Sequence, residues 1–155
     1  MAARCIGIIS DTHGLLREQV KSRLRGCDLI LHAGDVDSPS VLTELREIAP
    51  VVAVRGNMDK AGWARELQEL EYLDIDGVGI CVIHDRSGLD ARALPTGTRI
   101  VICGHSHKPH VEYIGGVLYL NPGSAGPRRF HLPISMALLH IEPDGIRPEL
   151  IKIHA

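Results

Sequence analysis

The chain is predicted to be an α/β sandwich: a parallel βαβαβ opening, then a more antiparallel second sheet packed on the first, with helices outside. Three observations carry that prediction. Apolar, β-branched runs alternate with amphipathic segments over residues 4–54. From Glu71 onward strand-like runs follow one another with little helix between them. Turn sequences, Asp76-Gly77, Gly115-Gly116 and Pro143-Asp144-Gly145, punctuate that second half.

The elements follow in order. Residues 4–10 (RCIGIIS) form a strand that ends at Asp11. Leu16, Val20 and Leu24 repeat at four-residue spacing between charged positions, which predicts a helix over 15–25. A short strand over 28–32 leads to Gly34-Asp35. Ser38-Pro39 starts a second helix, with serine capping and proline in the first turn. Val41, Leu42, Leu45 and Ile48 form its buried face, and Pro50 stops it. Residues 51–54 (VVAV) form a third strand leading to Gly56-Asn57. Parallel neighbours need crossovers of this kind. Further strands are predicted at 71–75, 78–83, 99–103, 111–114, 117–120, 134–141 and 146–153, with a short helix around 87–94. No linker, repeat or low-complexity segment divides residues 1–155, so one domain is expected.

Bulk properties exclude several function classes. The formal charge of −2 gives no electrostatic case for nucleic-acid or anionic-membrane binding. Aromatics at 3% are too few for base-stacking platforms. Cys5, Cys27, Cys81 and Cys103 show no C-x-x-C spacing, and three of them lie in apolar runs where a thiol acts as a small hydrophobe. No apolar stretch approaches the ~20 residues of a membrane span. The chain runs almost directly into a strand and a motif, leaving no room for a signal peptide, so a reducing, cytoplasmic setting is expected.

The chemistry lies at strand ends. Asp11-Thr12-His13, Gly34-Asp35, Gly56-Asn57 and Gly104-His105-Ser106-His107 each close an apolar run, and His84 ends another. Ligands of open α/β sheets bind outside the carboxyl ends of strands. Asp11, His13, Asp35, Asn57, His84, His105 and His107 therefore offer seven oxygen or imidazole donors to one crevice. Each alone reads as a turn residue, a helix cap or a core side chain. Together they suit two metal ions sharing a carboxylate, about 3.5–4 Å apart, clamping a phosphoryl group and generating a hydroxide at neutral pH. A shell this rich in histidine favours manganese, iron, cobalt, nickel or zinc over magnesium.

The ordered set DTHG, GD, GN, GHSH and NPGS resembles the calcineurin-like metallophosphoesterases, and most nearly their small, single-domain YfcE-like phosphodiesterases. The likeness runs from about residue 6 to 124. It implies an αββα two-sheet sandwich and a binuclear site, with manganese the first candidate metal. Asp11, His13 and His107 would hold one ion. Asn57, His84 and His105 would hold the other, with Asp35 bridging. Asp35 and Asn57 would also position the hydroxide and the phosphate. The NPGS turn lies beside the metal cleft in the family, which makes Asn121 and Ser124 candidate substrate contacts. Arg128 and Arg129 are added because guanidinium forks match phosphate oxygens.

Two positions depart from the family pattern. Many members carry a histidine after Gly-Asn that acts on the phosphate or protonates the leaving group, and here that residue is Met58. His84-Asp85 stands where His-Gly is frequent, so Asp85 either crowds the site or orients a ligand. His32 is a candidate support for Asp35, whereas His110, His131, His140 and His154 are assigned no metal. Asp37 reads as part of the turn before Pro39, and Trp63 as packing a connecting segment.

The expected activity is a metal-dependent phosphodiesterase using a metal-activated hydroxide for in-line attack on a small phosphoester. A phosphomonoesterase or nucleotide phosphatase with the same site is the alternative within the enzyme class. A non-catalytic scaffold, like the retromer subunit of this fold, is the alternative outside it. The sequence leaves open a homo-oligomer.

Overall fold

The computed structural model describes residues 3–154. Among the described residues, ten strands form two five-stranded mixed sheets. The first sheet has the order β10-β9-β1-β2-β3, built from β1 (Arg4–Ile9), β2 (Leu29–His32), β3 (Val51–Ala53), β9 (Ser135–Glu142) and β10 (Gly145–Lys152). The second has the order β4-β5-β6-β8-β7, from β4 (Leu70–Ile75), β5 (Val78–Ile83), β6 (Thr98–Ile102), β7 (His110–Ile114) and β8 (Val117–Asn121).

Period-two alternation places the core. Ile6 and Ile8 of β1, Leu31 of β2, and Ala137, Leu139 and Ile141 of β9 point to the inter-sheet layer. They meet Val78, Ile80 and Val82 of β5, Ile100 and Ile102 of β6, and Leu118 and Leu120 of β8. The other face of the first sheet packs on two helices, α1 (Glu18–Leu24) and α2 (Pro39–Arg46), through Val20, Leu24, Val41, Leu42 and Leu45. Gly7 faces α1 there; any Cβ would collide with the Leu24 side chain.

Three features differ from the sequence expectation. The strands after Glu71 do not all join the second sheet: β9 and β10 return to the first, β9 pairing antiparallel with β1. The helix expected around 87–94 is instead two 3₁₀ turns, Arg86–Gly88 and Ala91–Ala93, capped by Asp85 and Asp90. Asx caps so closely spaced favour single turns over a continuous helix, and the outer layer on this sheet is correspondingly thin. Finally, α1 begins at Glu18 rather than 15, because His13 and Gly14 donate their backbone N–H groups to Asp35 and Val36 carbonyls. Among the described residues, no helix is long and apolar enough to cross a membrane.

The topology directs the donors to one edge. β1, β2 and β3 are mutually parallel, as are β5, β6 and β8. Backbone bonds then tie the emerging loops together: Asp11 N–H to Gly34 O at 2.9 Å, and Gly104 N–H to His84 O at 2.9 Å.

Candidate metal centre

Backbone conformation is the first unusual feature. Asp11, His13, Asp35, His105 and His107 all have positive φ, between 46° and 72°. Such conformations are uncommon for residues other than glycine and cluster at functional sites, costing ~1–3 kcal/mol each. Glycines leave room where loops meet. At Gly56 an added Cβ would overlap the Asp35 carboxylate, and at Gly104 it would overlap the Ser10 hydroxyl.

Two carboxylates lie at the centre. Asp11 is fully buried, and its Oδ2 accepts from Ser10 Oγ at 2.7 Å and from the His105 N–H at 3.2 Å. Among the described residues its Oδ1 has no hydrogen-bond partner. That atom instead faces Nε2 of His107 at 3.3 Å, His13 at 3.8 Å and His84 at 3.9 Å. Asp35 Oδ1 accepts from the Met58 N–H at 2.8 Å, while Oδ2 lies 3.2 Å from His84 Nε2 and 3.8 Å from His13 Nε2. Burial alone would raise the Asp35 pKa. Hydrogen bonds from His84 and the Met58 N–H, with the His84 and His13 charges, outweigh it and hold the carboxyl at about 2.

The imidazoles are oriented from behind. His84 donates Nδ1–H to the Ala33 carbonyl at 2.7 Å, which turns Nε2 into the cleft. There it lies 3.0 Å from Asn57 Oδ1. Burial pulls the His84 pKa down, but the Asp35 hydrogen bond and the Asp11 and Asp35 charges raise it overall. His13 donates Nδ1–H to Asp37 at 2.7 Å, leaving Nε2 3.4 Å from His107 Nε2. His107 is buried, and its Nδ1 has no partner among the described residues. His105 is more exposed, with its ring 5.2 Å from that of His84 and Nε2 3.7 Å from Asp85.

The donor chemistry fits a divalent cation. His84 Nε2, Asn57 Oδ1 and Asp35 Oδ2 are all acceptors once His84 has donated from Nδ1, so a proton or a cation must reconcile them. Near Asp11 Oδ1, His13 and His84 likewise present acceptor nitrogens, each having donated from Nδ1. Among the described residues two groups, Asp11-His13-His107 and Asp11-Asp35-His84, each bring their ligand atoms within 4.8 Å of one another. Asp11 belongs to both groups, and Asp35 also reaches histidines of both.

Residues that sequence reasoning undervalued hold these loops. Asp59 is buried and accepts three backbone N–H bonds: Asp37 at 2.8 Å, Gly56 at 2.9 Å and Val36 at 3.2 Å. It thereby locks the loop of Asp35 to that of Asn57. Asp37 orients His13, a role that its place before Pro39 conceals. His32 accepts the Gly34 N–H at 3.1 Å through Nδ1 and donates from Nε2 to Thr12 Oγ1 at 3.0 Å. Thr12 passes the chain on to the Val36 carbonyl at 3.2 Å. Burial holds the His32 pKa down at about 4 and keeps the ring neutral, against the Asp11 and Asp59 charges.

The four candidate substrate contacts divide. Asn121 donates to Gly104 O at 2.9 Å and Ser106 Oγ at 3.1 Å and accepts the Gly123 N–H at 2.9 Å. Ser124 donates to Asp11 O at 3.0 Å. Both are buried and engaged in holding the GHSH and DTHG turns, and neither lines the cleft. Arg128 and Arg129 do line it, with His13, Asp35, Asn57, Met58, His105 and His107.

Comparison with known proteins accords with this geometry. The family model for the calcineurin-like phosphoesterase superfamily domain matches residues 5–144. A probable metallophosphoesterase of Methanothermobacter thermautotrophicus is 35% identical, over 97% of this chain and 93% of its own. A phosphodiesterase of Methanocaldococcus jannaschii is 29% identical, over 76% of this chain and 82% of its own. Among solved structures, a predicted phosphoesterase of Streptococcus pneumoniae superposes with a TM-score of 0.78 at 28% identity, covering 98% of this chain and 91% of that one. Vps29 of Entamoeba histolytica, complexed with zinc, gives 0.71 at 25%, covering 96% and 98%.

Proposed function

The chain belongs to the calcineurin-like phosphoesterase superfamily, and on that premise we propose a metal-dependent phosphoester hydrolase that cleaves phosphodiesters with two divalent ions, manganese first among the candidates. The observation that carries the reading is Asp11 Oδ1, a buried carboxylate oxygen without a hydrogen-bond partner, facing three imidazole nitrogens at 3.3–3.9 Å. An unpaired buried acceptor is costly, and here the surrounding groups suit a cation. Iron, cobalt, nickel and zinc fit the same donors.

Asp11, His13 and His107 would hold one ion, and Asn57, His84 and His105 the other, with Asp35 shared. When bound, the ions supply a nucleophile at neutral pH and offset the charge of the phosphoryl group. The chain's own part is orientation. His84 and His13 are fixed by Ala33 O and Asp37, so each presents Nε2 to the cleft. Asp35, held at about 2, stays ionised throughout the physiological range. Arg128 and Arg129 stand at the rim, where guanidinium groups can take phosphate oxygens.

Diester preference follows from what the rim lacks. Met58 is half exposed and lines the cleft beside Asn57, and a thioether cannot protonate a leaving group. Esters with good leaving groups need such assistance least, and the absent acid tilts the reading towards diesters and activated esters. The substrate is a small phosphoester, and the four free thiols suit a reducing cytoplasm.

Purified protein is expected to bind divalent metal and to hydrolyse a chromogenic diester with manganese. Asp35→Asn and His107→Ala should abolish turnover while retaining the fold by circular dichroism. Metal-dependent turnover in both variants would overturn the assignment. For a scaffold reading the likeness to zinc-bound Vps29 is weak support. Stoichiometric metal without turnover on any phosphoester would favour it.

A further inference from the structure

Beside the metal cleft lies a hollow of about 230 Å³ lined by Arg128, Pro133, Ile134, Lys152, Ile153 and His154. Arg128 lines both spaces, so it is their common wall. The hollow carries Arg128, Lys152 and His154 and, among the described residues, no acidic side chain lines it. That is a local reversal in a chain whose acids outnumber Lys and Arg by 19 to 17.

Its floor is apolar and preformed. Ile153 is buried, and its N–H donates to the Ile134 carbonyl at 2.8 Å, tying the tail after β10 to the segment before β9. A cleft lined by one sign of charge over a low-dielectric wall focuses its field on a counter-ion. The metal cleft alone is about 310 Å³, at the lower end of the ~300–1,000 Å³ range of ligand pockets. A substrate longer than one phosphate has room to continue past Arg128.

We propose that this hollow is a subsite for a second, non-scissile phosphate, and that the substrates are phosphodiesters carrying a terminal phosphomonoester. The proposal rests on the phosphodiesterase reading for its first phosphate only. Lys152 and His154 bind the distal anion, while Arg128 spans the gap to the scissile group. Neither Lys152 nor His154 belongs to the metal site, and both are exposed, so their replacement leaves the fold and basal chemistry in place.

The test is a matched pair: thymidine 5′-(p-nitrophenyl phosphate) with and without a 3′-phosphate, which share one leaving group. In the wild type the 3′-phosphate should lower KM roughly 3- to 10-fold, the size expected of one or two partly exposed charge contacts. The Lys152→Met/His154→Ala double variant should erase that difference without changing kcat or KM for the simpler ester. The control Arg23→Gln should keep it. Equal KM values in the wild type, or a difference that survives in the double variant, would overturn the subsite. If neither ester is cleaved, the hydrolase reading fails and the subsite is judged separately. Calorimetry of metal-stripped protein with inorganic pyrophosphate should then show binding that the double variant loses, and no wild-type binding would refute it.

Discussion

Asp59→Asn changes one carboxylate oxygen into an amide NH2 and leaves the volume of the side chain almost unaltered. In the native structure Oδ2 takes the Gly56 and Val36 N–H groups and Oδ1 takes the Asp37 N–H. An amide has one acceptor oxygen, so at least one of these buried N–H groups must face a donor. Hydrogen bonds to a charged group are worth about 1.5–3 kcal/mol each, and an orphaned buried N–H costs about 1–3 kcal/mol. Partial relaxation leaves an expected loss near 2–4 kcal/mol. For a chain of this length that is a fall in Tm of roughly 5–15 °C in metal-free protein. The orphaned groups flank Asp35 and Asn57, so the variant should also bind manganese at least ~10-fold more weakly, as changes behind metal ligands typically do. Differential scanning calorimetry and metal titration measure the two effects. A Tm within about 2 °C of wild type, together with unchanged metal affinity, would refute the role assigned to Asp59.

Other expectations concern the same loops. His32, held neutral at about 4 against a usual 6.5, takes up its proton only after the unfolded chain has done so. Its stabilisation is therefore complete above pH 6.5 and is lost as pH falls towards 4, by about 3 kcal/mol; denaturant titrations should show that slope flattened in His32→Gln. Gly56→Ala places a methyl group against the Asp35 carboxylate, and should cut metal affinity and diester turnover at least ~10-fold with far-UV circular dichroism unchanged. Met58→His puts an imidazole at the half-exposed rim position beside Asn57. It should raise turnover of alkyl esters relative to aryl esters by up to ~10²-fold, and an equal effect on both leaving groups would count against the missing-acid argument.

Much of the fold was legible because the signals are local. Strand runs ending in Gly-Asp, Gly-Asn and Gly-His carry both the period-two pattern and the glycine that close approach demands, as Gly56 against Asp35 illustrates. The return of β9 and β10 to the first sheet was not legible. The alternation in 134–153 says which face is buried, and not which sheet supplies the neighbour. The thin outer layer was missed for a different reason: Leu89 and Leu94 pack on the sheet as a helix face would, while Asp85 and Asp90 cap single turns. At the site, residues with side chains that can meet a cation announced themselves by type. Asp59, Asn121 and Ser124 act on backbone groups, and Asp37 on the His13 ring, across long stretches of sequence, so their local surroundings do not state those roles.

The pairing of β1 with β9 has a consequence for how the protein is made. Ile6 lies opposite Leu139, and Ser10 O accepts the Ala125 N–H, so the DTHG loop is braced by segments synthesised more than a hundred residues later. A ribosome adding about 5–20 residues per second leaves the DTHG loop without that brace for several seconds or more. The nascent chain therefore exposes one flank of β1 until the final hairpin emerges, and long-range closure of this kind folds slowly. The DTHG loop should accordingly reach its final geometry only after the β9–β10 hairpin has emerged.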